Sequence, residues 1–242
     1  MEVDAFIGHL RHQGVGLAAA AQVAGWSAPV PRTDWTVREL VKHVGGVHRW
    51  AADVVRTGAD DLATEAGRRV GEGPDDDELL AWYLAGHADL LAALGGASPD
   101  LTAATFLSSR SPLEFWARRQ AHETAIHRAD AEAATGRTTR FPVDLAQDGI
   151  DELLCGFAAR KRTSGAERGT LLLGCSDGPS WSVTFGAEHI GAERVGSIKD
   201  GDVSGTSSDL YLWLWNRDSA VVADASRPLV RAWPAAVAVT WT

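Results

Sequence analysis

Apolar side chains in the first 140 residues recur three and four residues apart, the spacing of amphipathic helices. This pattern predicts four long helices, at Asp4–Val23, Thr36–Val55, Asp76–Leu94 and Pro112–Gly136. Two of them carry start signals. Thr36 has Glu39 three residues later, the capping-box spacing, and Pro112 suits a first helical turn. Connections of moderate length between the helices favour a four-helix bundle.

The pattern changes after Gly136, where a linker leads into shorter elements. Alternating or continuous apolar runs predict strands at Thr170–Gly174, Trp181–Phe185, Arg194–Ile198 and Ala235–Trp241. Helices are expected at Leu145–Arg160 and Ser207–Trp215. The chain is therefore expected to divide into an all-helical domain, residues 1–140, and a smaller α+β domain, residues 141–242.

Length, charge and hydropathy exclude several classes of protein. No apolar run approaches the roughly 18–20 residues that span a bilayer, and the N-terminus lacks the features of a secretory signal. The formal net charge of −9 argues against a nucleic-acid partner. We therefore expect a cytoplasmic protein that binds neither nucleic acid nor membrane.

The two cysteines, Cys155 and Cys175, have no CxxC spacing. Neither a zinc ribbon nor a disulfide framework is indicated. We expect both to be buried small hydrophobic residues in a reducing compartment, with a redox or nucleophilic role as the alternative.

The strongest candidate chemistry lies in the predicted helix Pro112–Gly136. Glu123 and His127 are four residues apart, which places their β-carbons about 5–6 Å from one another on one helix face. A third ligand must come from another helix, and His43 in the apolar stripe of the second helix is the best candidate. The hypothesis is an open metal site of His43, Glu123 and His127. The alternative for the pair alone is a solvated Glu–His contact.

The other histidines are weaker candidates. His122 is five residues from His127, about 140° around the helix, so the two do not face one point. His48 is likewise five residues from His43, and it is either the runner-up ligand or a residue that lines the pocket. His9, His12 and His87 are expected on polar helix faces.

Two imidazoles and a carboxylate bind Zn²⁺, Ni²⁺ or Fe²⁺ well, and three protein ligands leave a coordination position open. An open position is typical of catalytic zinc, which lowers the pKa of a bound thiol or water. Asp130 or Glu132 could hydrogen-bond to a ligand and fix its orientation, although spacing alone does not choose between them.

The segments WTVRELVKHVGGVHRWAADVV and FWARRQAHETAIHRADAEAATG, together with GTSSDLYLWLWNRD, resemble the mycothiol-dependent maleylpyruvate isomerase family of the DinB-like metalloprotein superfamily. The resemblance covers nearly the whole chain. It implies a DinB-like four-helix bundle followed by a C-terminal α+β domain of sterol-carrier-like type. It also implies a zinc or similar ion held by His43, Glu123 and His127, with mycothiol as the thiol cofactor.

The family reaction is cis–trans isomerisation of maleylpyruvate by addition of a thiolate, rotation and elimination. The resemblance further implies an arginine from the C-terminal domain that holds a substrate carboxylate. Arg217 is the first candidate and Arg231 is the second. We assign His48 to cofactor binding.

Two functions stay open. The first is a metal- and mycothiol-dependent isomerase or thiol transferase that acts on a small unsaturated or electrophilic carboxylate, as a monomer or homodimer. The second is a non-catalytic DinB-like metal-binding protein with a stress or ligand-binding role. Lipid binding by the C-terminal domain is a third possibility that rests on fold analogy alone.

Overall fold

The computed structural model describes residues 1–162 and 167–237. Two compact units divide the chain between Thr139 and Arg140. The first unit is helical and the second combines helices with a small mixed sheet, so the α plus α+β class expected from the sequence is confirmed.

Four long helices build the first unit, α1 (Val3–Ala24), α2 (Val37–Thr57), α4 (Asp76–Gly96) and α5 (Pro112–Ala133). A single short turn, α3 (Glu65–Arg68), interrupts the connection between α2 and α4. Helix α1 packs against α4 and α5, and α2 packs against the same two helices. In the interior between the helices, Leu17, Leu40 and Tyr83 belong to one cluster of buried side chains.

The helix starts follow the sequence signals. The Thr36 side chain accepts from the backbone N–H of Glu39, while the Glu39 carboxylate accepts from the backbone N–H of Thr36 at 2.6 Å, so the capping box is complete. Ser111 caps α5 by accepting from the backbone N–H of Glu114 at 3.2 Å. These caps satisfy backbone donors that a helix leaves free at its N-terminus.

Helix α4 is long and apolar enough to cross a membrane when length and composition alone are considered. This differs from the expectation that no apolar run is long enough to span a bilayer. Core helices of soluble proteins share this composition, and in the first unit α4 packs with Leu79, Tyr83 and Leu90 buried. The apolar character of α4 is thus used, at least in part, for helix packing.

The second unit contains a five-stranded sheet in the order β3-β2-β1-β4-β5. Its strands are β1 (Gly169–Cys175), β2 (Ser180–Phe185), β3 (Ile190–Val195), β4 (Val203–Gly205) and β5 (Val222–Ala223). Only the β1–β4 pair is parallel among the described strands; the other neighbours run antiparallel. The two short strands β4 and β5 were not expected from the sequence.

Three helices accompany this sheet, α6 (Val143–Asp151), α7 (Ser207–Leu214) and α8 (Pro228–Ala236). Helix α6 continues as a π-helical turn, Glu152–Phe157, and a 3₁₀ turn, Ala158–Arg160, where one uninterrupted helix was expected. The predicted final strand, Ala235–Trp241, is wrong at its start because Ala235 and Ala236 end α8. Residues 238–241 of that prediction lie outside the described residues.

The two cysteines differ from one another. Cys175 is buried in β1 as expected, whereas Cys155 is exposed on the π-helical turn. The prediction that both are buried is therefore wrong for Cys155.

Candidate metal centre

The three predicted ligands come together inside the first unit. Helix α5 presents Glu123 and His127 one turn apart, and α2 presents His43 opposite them. One ligand atom from each residue can be chosen so that all three lie within 4.8 Å of one another. All three residues are buried, with 9% of His43 and His127 and 4% of Glu123 exposed. No other such group of three or more ligands is found in the described residues.

The distances between donor atoms fit coordination of one small cation. Glu123 Oε1 lies 3.3 Å from His43 Nε2 and 3.2 Å from His127 Nε2. Metal–ligand bonds of about 2.0–2.1 Å arranged tetrahedrally place neighbouring donors about 3.3 Å apart. The carboxylate oxygen and the two imidazole nitrogens are therefore spaced as two edges of such a tetrahedron. That these residues bind a metal stays a prediction.

The second carboxylate oxygen of Glu123, Oε2, is hydrogen-bonded to an arginine. Arg119, one turn earlier on α5 and almost fully buried, donates to Glu123 Oε2 at 2.9 Å. Burial by itself would raise the pKa of Glu123, but hydrogen bonds with His127 and His43 and the charge of Arg119 outweigh it and hold this pKa well below its ordinary value. Glu123 is consequently ionised, and only Oε1 faces the histidines.

His127 is oriented by a carboxylate on its far side. Its Nδ1 lies 3.0 Å from Asp130 Oδ2, which leaves Nε2 directed toward Glu123. Burial lowers the pKa of His127, yet the hydrogen bonds with Asp130 and Glu123 outweigh burial and raise it to about 9. A carboxylate in this position fixes the ring and increases the basicity of the ligand nitrogen.

Spacing alone left Asp130 and Glu132 as alternatives for this supporting role. Glu132 hydrogen-bonds to other residues: its Oε1 accepts from Arg128, and its Oε2 accepts from Thr139 at 2.5 Å. Asp130 is the one that contacts a candidate ligand.

The indole of Trp35 contacts both candidate histidine ligands, a contact that the sequence did not predict. Its ring centroid lies 4.9 Å from that of His43 and 6.2 Å from that of His127. The Trp35 and His127 rings are stacked, with an angle of 29° between their planes. Trp35 immediately precedes the capping residue Thr36, so the complete capping box fixes where the indole enters the bundle. In the sequence, the only indication that Trp35 lies near the candidate ligands is its position just before α2, the helix that carries His43.

The remaining histidines of the bundle lie outside this group. His48 is fully buried, and its Nε2 lies 2.9 Å from Thr124 Oγ1 on α5. His122 is also buried, with its ring 6.2 Å from that of Phe6. The assignment of His48 to cofactor binding stays a prediction.

His87 was expected on a polar face, and the structure shows that this is wrong. The residue is 4% exposed and its ring is stacked on Tyr83. A β-carbon at Gly14 of α1 would come within 2.2 Å of the imidazole, so the absence of a side chain at Gly14 makes room for His87.

The predicted arginines belong to the second unit. Arg217 follows α7 and donates to the backbone carbonyl of Trp215 at 2.7 Å. Arg231 in α8 donates to the carbonyls of Ala225 and Ser226 at 2.7 and 2.8 Å, which is the pattern of a residue that closes a turn. The role of Arg217 in substrate binding stays a prediction.

Fold and site together define a class: a helical bundle whose interior gathers two histidines and a carboxylate, followed by a small α+β unit. The family model described as the mycothiol maleylpyruvate isomerase N-terminal domain matches residues 7–132. The model of the C-terminal domain of the same family matches residues 144–235. The chain belongs to the mycothiol maleylpyruvate isomerase family.

Two solved structures share the fold, both of the mycothiol-dependent maleylpyruvate isomerase. One is a histidine-to-alanine mutant; the match covers 90% of this chain and 91% of that chain, with a TM-score of 0.63 and 14% identity. The other has the same TM-score and identity and covers 91% of both chains. At this identity the likeness establishes the common fold. The comparison with curated proteins gives no match.

Proposed function

We propose that the protein is a metal-dependent and mycothiol-dependent enzyme, an isomerase or thiol transferase that acts on a small unsaturated or electrophilic carboxylate such as maleylpyruvate. Family membership supports the reaction class. The observation that carries the metal dependence is the position of Glu123 Oε1, 3.3 and 3.2 Å from the Nε2 atoms of His43 and His127.

The donor set suits Zn²⁺, which we propose as the resident ion, and also accommodates Ni²⁺ or Fe²⁺. A bound ion with three protein ligands would keep one coordination position open and would supply Lewis acidity that lowers the pKa of a thiol. Deprotonation of the thiol is what allows addition to a double bond near neutral pH.

The side chains around the ligands would keep this site ordered. Arg119 restricts Glu123 to coordination through one oxygen, and Asp130 holds His127 in one orientation. The indole of Trp35 packs against the two histidine rings and would restrict their movement. His48 lies inside the bundle, so its proposed part in cofactor binding is indirect, through its contact with α5.

Recognition of the substrate carboxylate is assigned to Arg217. A guanidinium binds a carboxylate by two parallel hydrogen bonds, which fixes orientation as well as charge. The proposed partners are this small substrate and a low-molecular-weight thiol. A cytoplasmic location and a monomeric or homodimeric state stay predictions.

The direct test is a turnover assay with metal-loaded and chelator-treated protein, each with and without mycothiol, on maleylpyruvate and related unsaturated acids. We expect isomerisation only when both metal and mycothiol are present. Arg217→Lys should raise KM for a carboxylate substrate while metal content stays unchanged. Bound metal without turnover of any substrate would favour the non-catalytic metal-binding alternative. Turnover that survives complete metal removal would contradict the proposal.

A further inference from the structure

A buried hydrogen bond joins the two helices that carry the candidate ligands. His48 Nε2 on α2 and Thr124 Oγ1 on α5 lie 2.9 Å apart, and neither residue is exposed. Thr124 directly follows Glu123 along the chain, and His48 is five residues after His43 on the same helix. The bond is thus one residue from one ligand and about one and a half helical turns from another.

The separation of α2 and α5 matters because the ligands are divided between them. His43 is on α2, whereas Glu123 and His127 are on α5. Metal–ligand distances tolerate deviations of about 0.2 Å, so a small shift between the helices moves His43 out of coordination range. A bond that exists before the ion binds removes part of the ordering cost of binding.

The surroundings of His48 leave the imidazole few alternative positions. Its ring lies 5.6 Å from the ring of Tyr83 and 5.2 Å from that of His87, both on α4. Burial and the neighbouring His87 hold the pKa of His48 well below its ordinary value, so the ring is neutral. Its Nδ1 has no hydrogen-bond partner within residues 1–162 and 167–237, which leaves the contact with Thr124 as its hydrogen bond in the described protein.

We propose that His48 is a positioning residue of the metal centre, which acts through Thr124 to set the distance between α2 and α5. The inference rests on the metal centre of the proposed function. It predicts that loss of the hydroxyl of Thr124 changes the coordination of an ion that neither Thr124 nor His48 contacts. A purely structural hydrogen bond would change stability alone.

The test uses the full-length protein and four variants. Thr124→Val removes the hydroxyl and keeps the branched shape, and Thr124→Ser keeps the hydroxyl. Thr124→Ala repeats the removal in a residue of high helix propensity, in case valine prevents folding. Tyr83→Phe is the matched control, because Tyr83 donates a buried hydrogen bond to Gly14 O at 3.2 Å and connects α4 to α1, which carry no candidate ligand.

Two measurements are made on each folded variant: Zn²⁺ affinity by competition with a chromophoric chelator, and the visible absorption spectrum with Co²⁺. We expect Thr124→Val and Thr124→Ala to bind Zn²⁺ about 10–100-fold more weakly, with a shifted Co²⁺ spectrum. Thr124→Ser and Tyr83→Phe should keep wild-type affinity and spectrum, although Tyr83→Phe lowers the melting temperature.

Wild-type Zn²⁺ affinity and an unchanged Co²⁺ spectrum in the variants without the hydroxyl would overturn the inference and leave the metal centre intact. Equal weakening in Tyr83→Phe would also overturn it, because the effect would then follow general destabilisation. If the wild-type protein binds neither ion, the proposed metal centre fails and this inference fails with it.

Discussion

The interiors of the two units differ in the kind of side chain that they bury. In the first unit α5 alone buries six charged or titratable residues: Arg119, His122, Glu123, His127, Asp130 and Glu132. In the described part of the second unit, Glu152 is the one buried residue with an acidic, basic or imidazole side chain. Burial of charge is costly unless the groups are paired, so such a concentration on one helix calls for an explanation beyond packing.

The second unit has a conventional core, in which large aromatic side chains meet the sheet. Trp181 in β2 and Trp233 in α8 are fully buried, and each indole N–H has an acceptor, at Asp151 and at the carbonyl of Leu214. The first unit thus buries a set of paired charged groups, whereas the described core of the second unit is built mainly from apolar and aromatic side chains.

The largest effect that the contrast predicts concerns a matched pair of buried carboxylates. Glu123→Gln in the first unit should abolish stoichiometric metal binding, because glutamine cannot supply the anionic oxygen between the two histidines. Glu152→Gln in the second unit should leave metal content unchanged. Elemental analysis of the purified variants decides. His43→Ala and His127→Ala should match Glu123→Gln, and His122→Ala should match the wild type. Full metal content in the three ligand variants would end the proposal.

A core substitution in the second unit should lower stability and leave metal binding unchanged. Trp181→Ala should lower the free energy of unfolding by about 3–5 kcal/mol, because it leaves a large cavity. Metal content per folded molecule should remain that of the wild type. Urea denaturation followed by circular dichroism measures the first quantity and elemental analysis the second. Loss of metal in this variant would show that the two interiors are not independent.

A smaller effect distinguishes two acidic residues of α5. Asp130→Asn should weaken Zn²⁺ affinity about 10–100-fold, because the amide no longer accepts a charge-assisted hydrogen bond from His127. Glu132→Gln is the control, since Glu132 pairs with Arg128 and Thr139 rather than with a ligand. Chelator competition measures both, and equal affinities in the two variants would remove Asp130 from the centre.

The smallest effect is a pH dependence of the metal-free protein. The pKa of His127 is about 9 in the folded chain against an ordinary value of 6.5, so protonation of His127 stabilises the fold fully below pH 6.5. This contribution is lost as the pH rises through 9. With chelator present, we expect the melting temperature to fall more in the wild type than in His127→Gln between pH 6.5 and 10. An equal fall of the melting temperature with pH in the wild type and in His127→Gln would contradict a stabilising role of protonated His127.

Much of the first unit is predictable from local pattern. The 3.6-residue period predicts α2 and α5, and the same period places Glu123 above His127, because both relations are properties of a single helix. The capping box of Thr36 and Glu39 is likewise local. In the second unit local pattern locates β1 and β2, whereas β4 and β5 have only three and two residues and too little sequence to show a period.

The sequence by itself therefore determined the four long helices of the first unit, the general class of fold, and the placement of Glu123 and His127 on one turn of α5. Only the tertiary structure decided that His43 meets this pair, that Trp35 packs against the two histidine rings, and that Asp130 contacts His127. It also placed His87 in the core, in the space that Gly14 leaves open. The physical reason is that helix periodicity acts within one segment, while contacts between helices depend on how side chains of several segments fill a common interior.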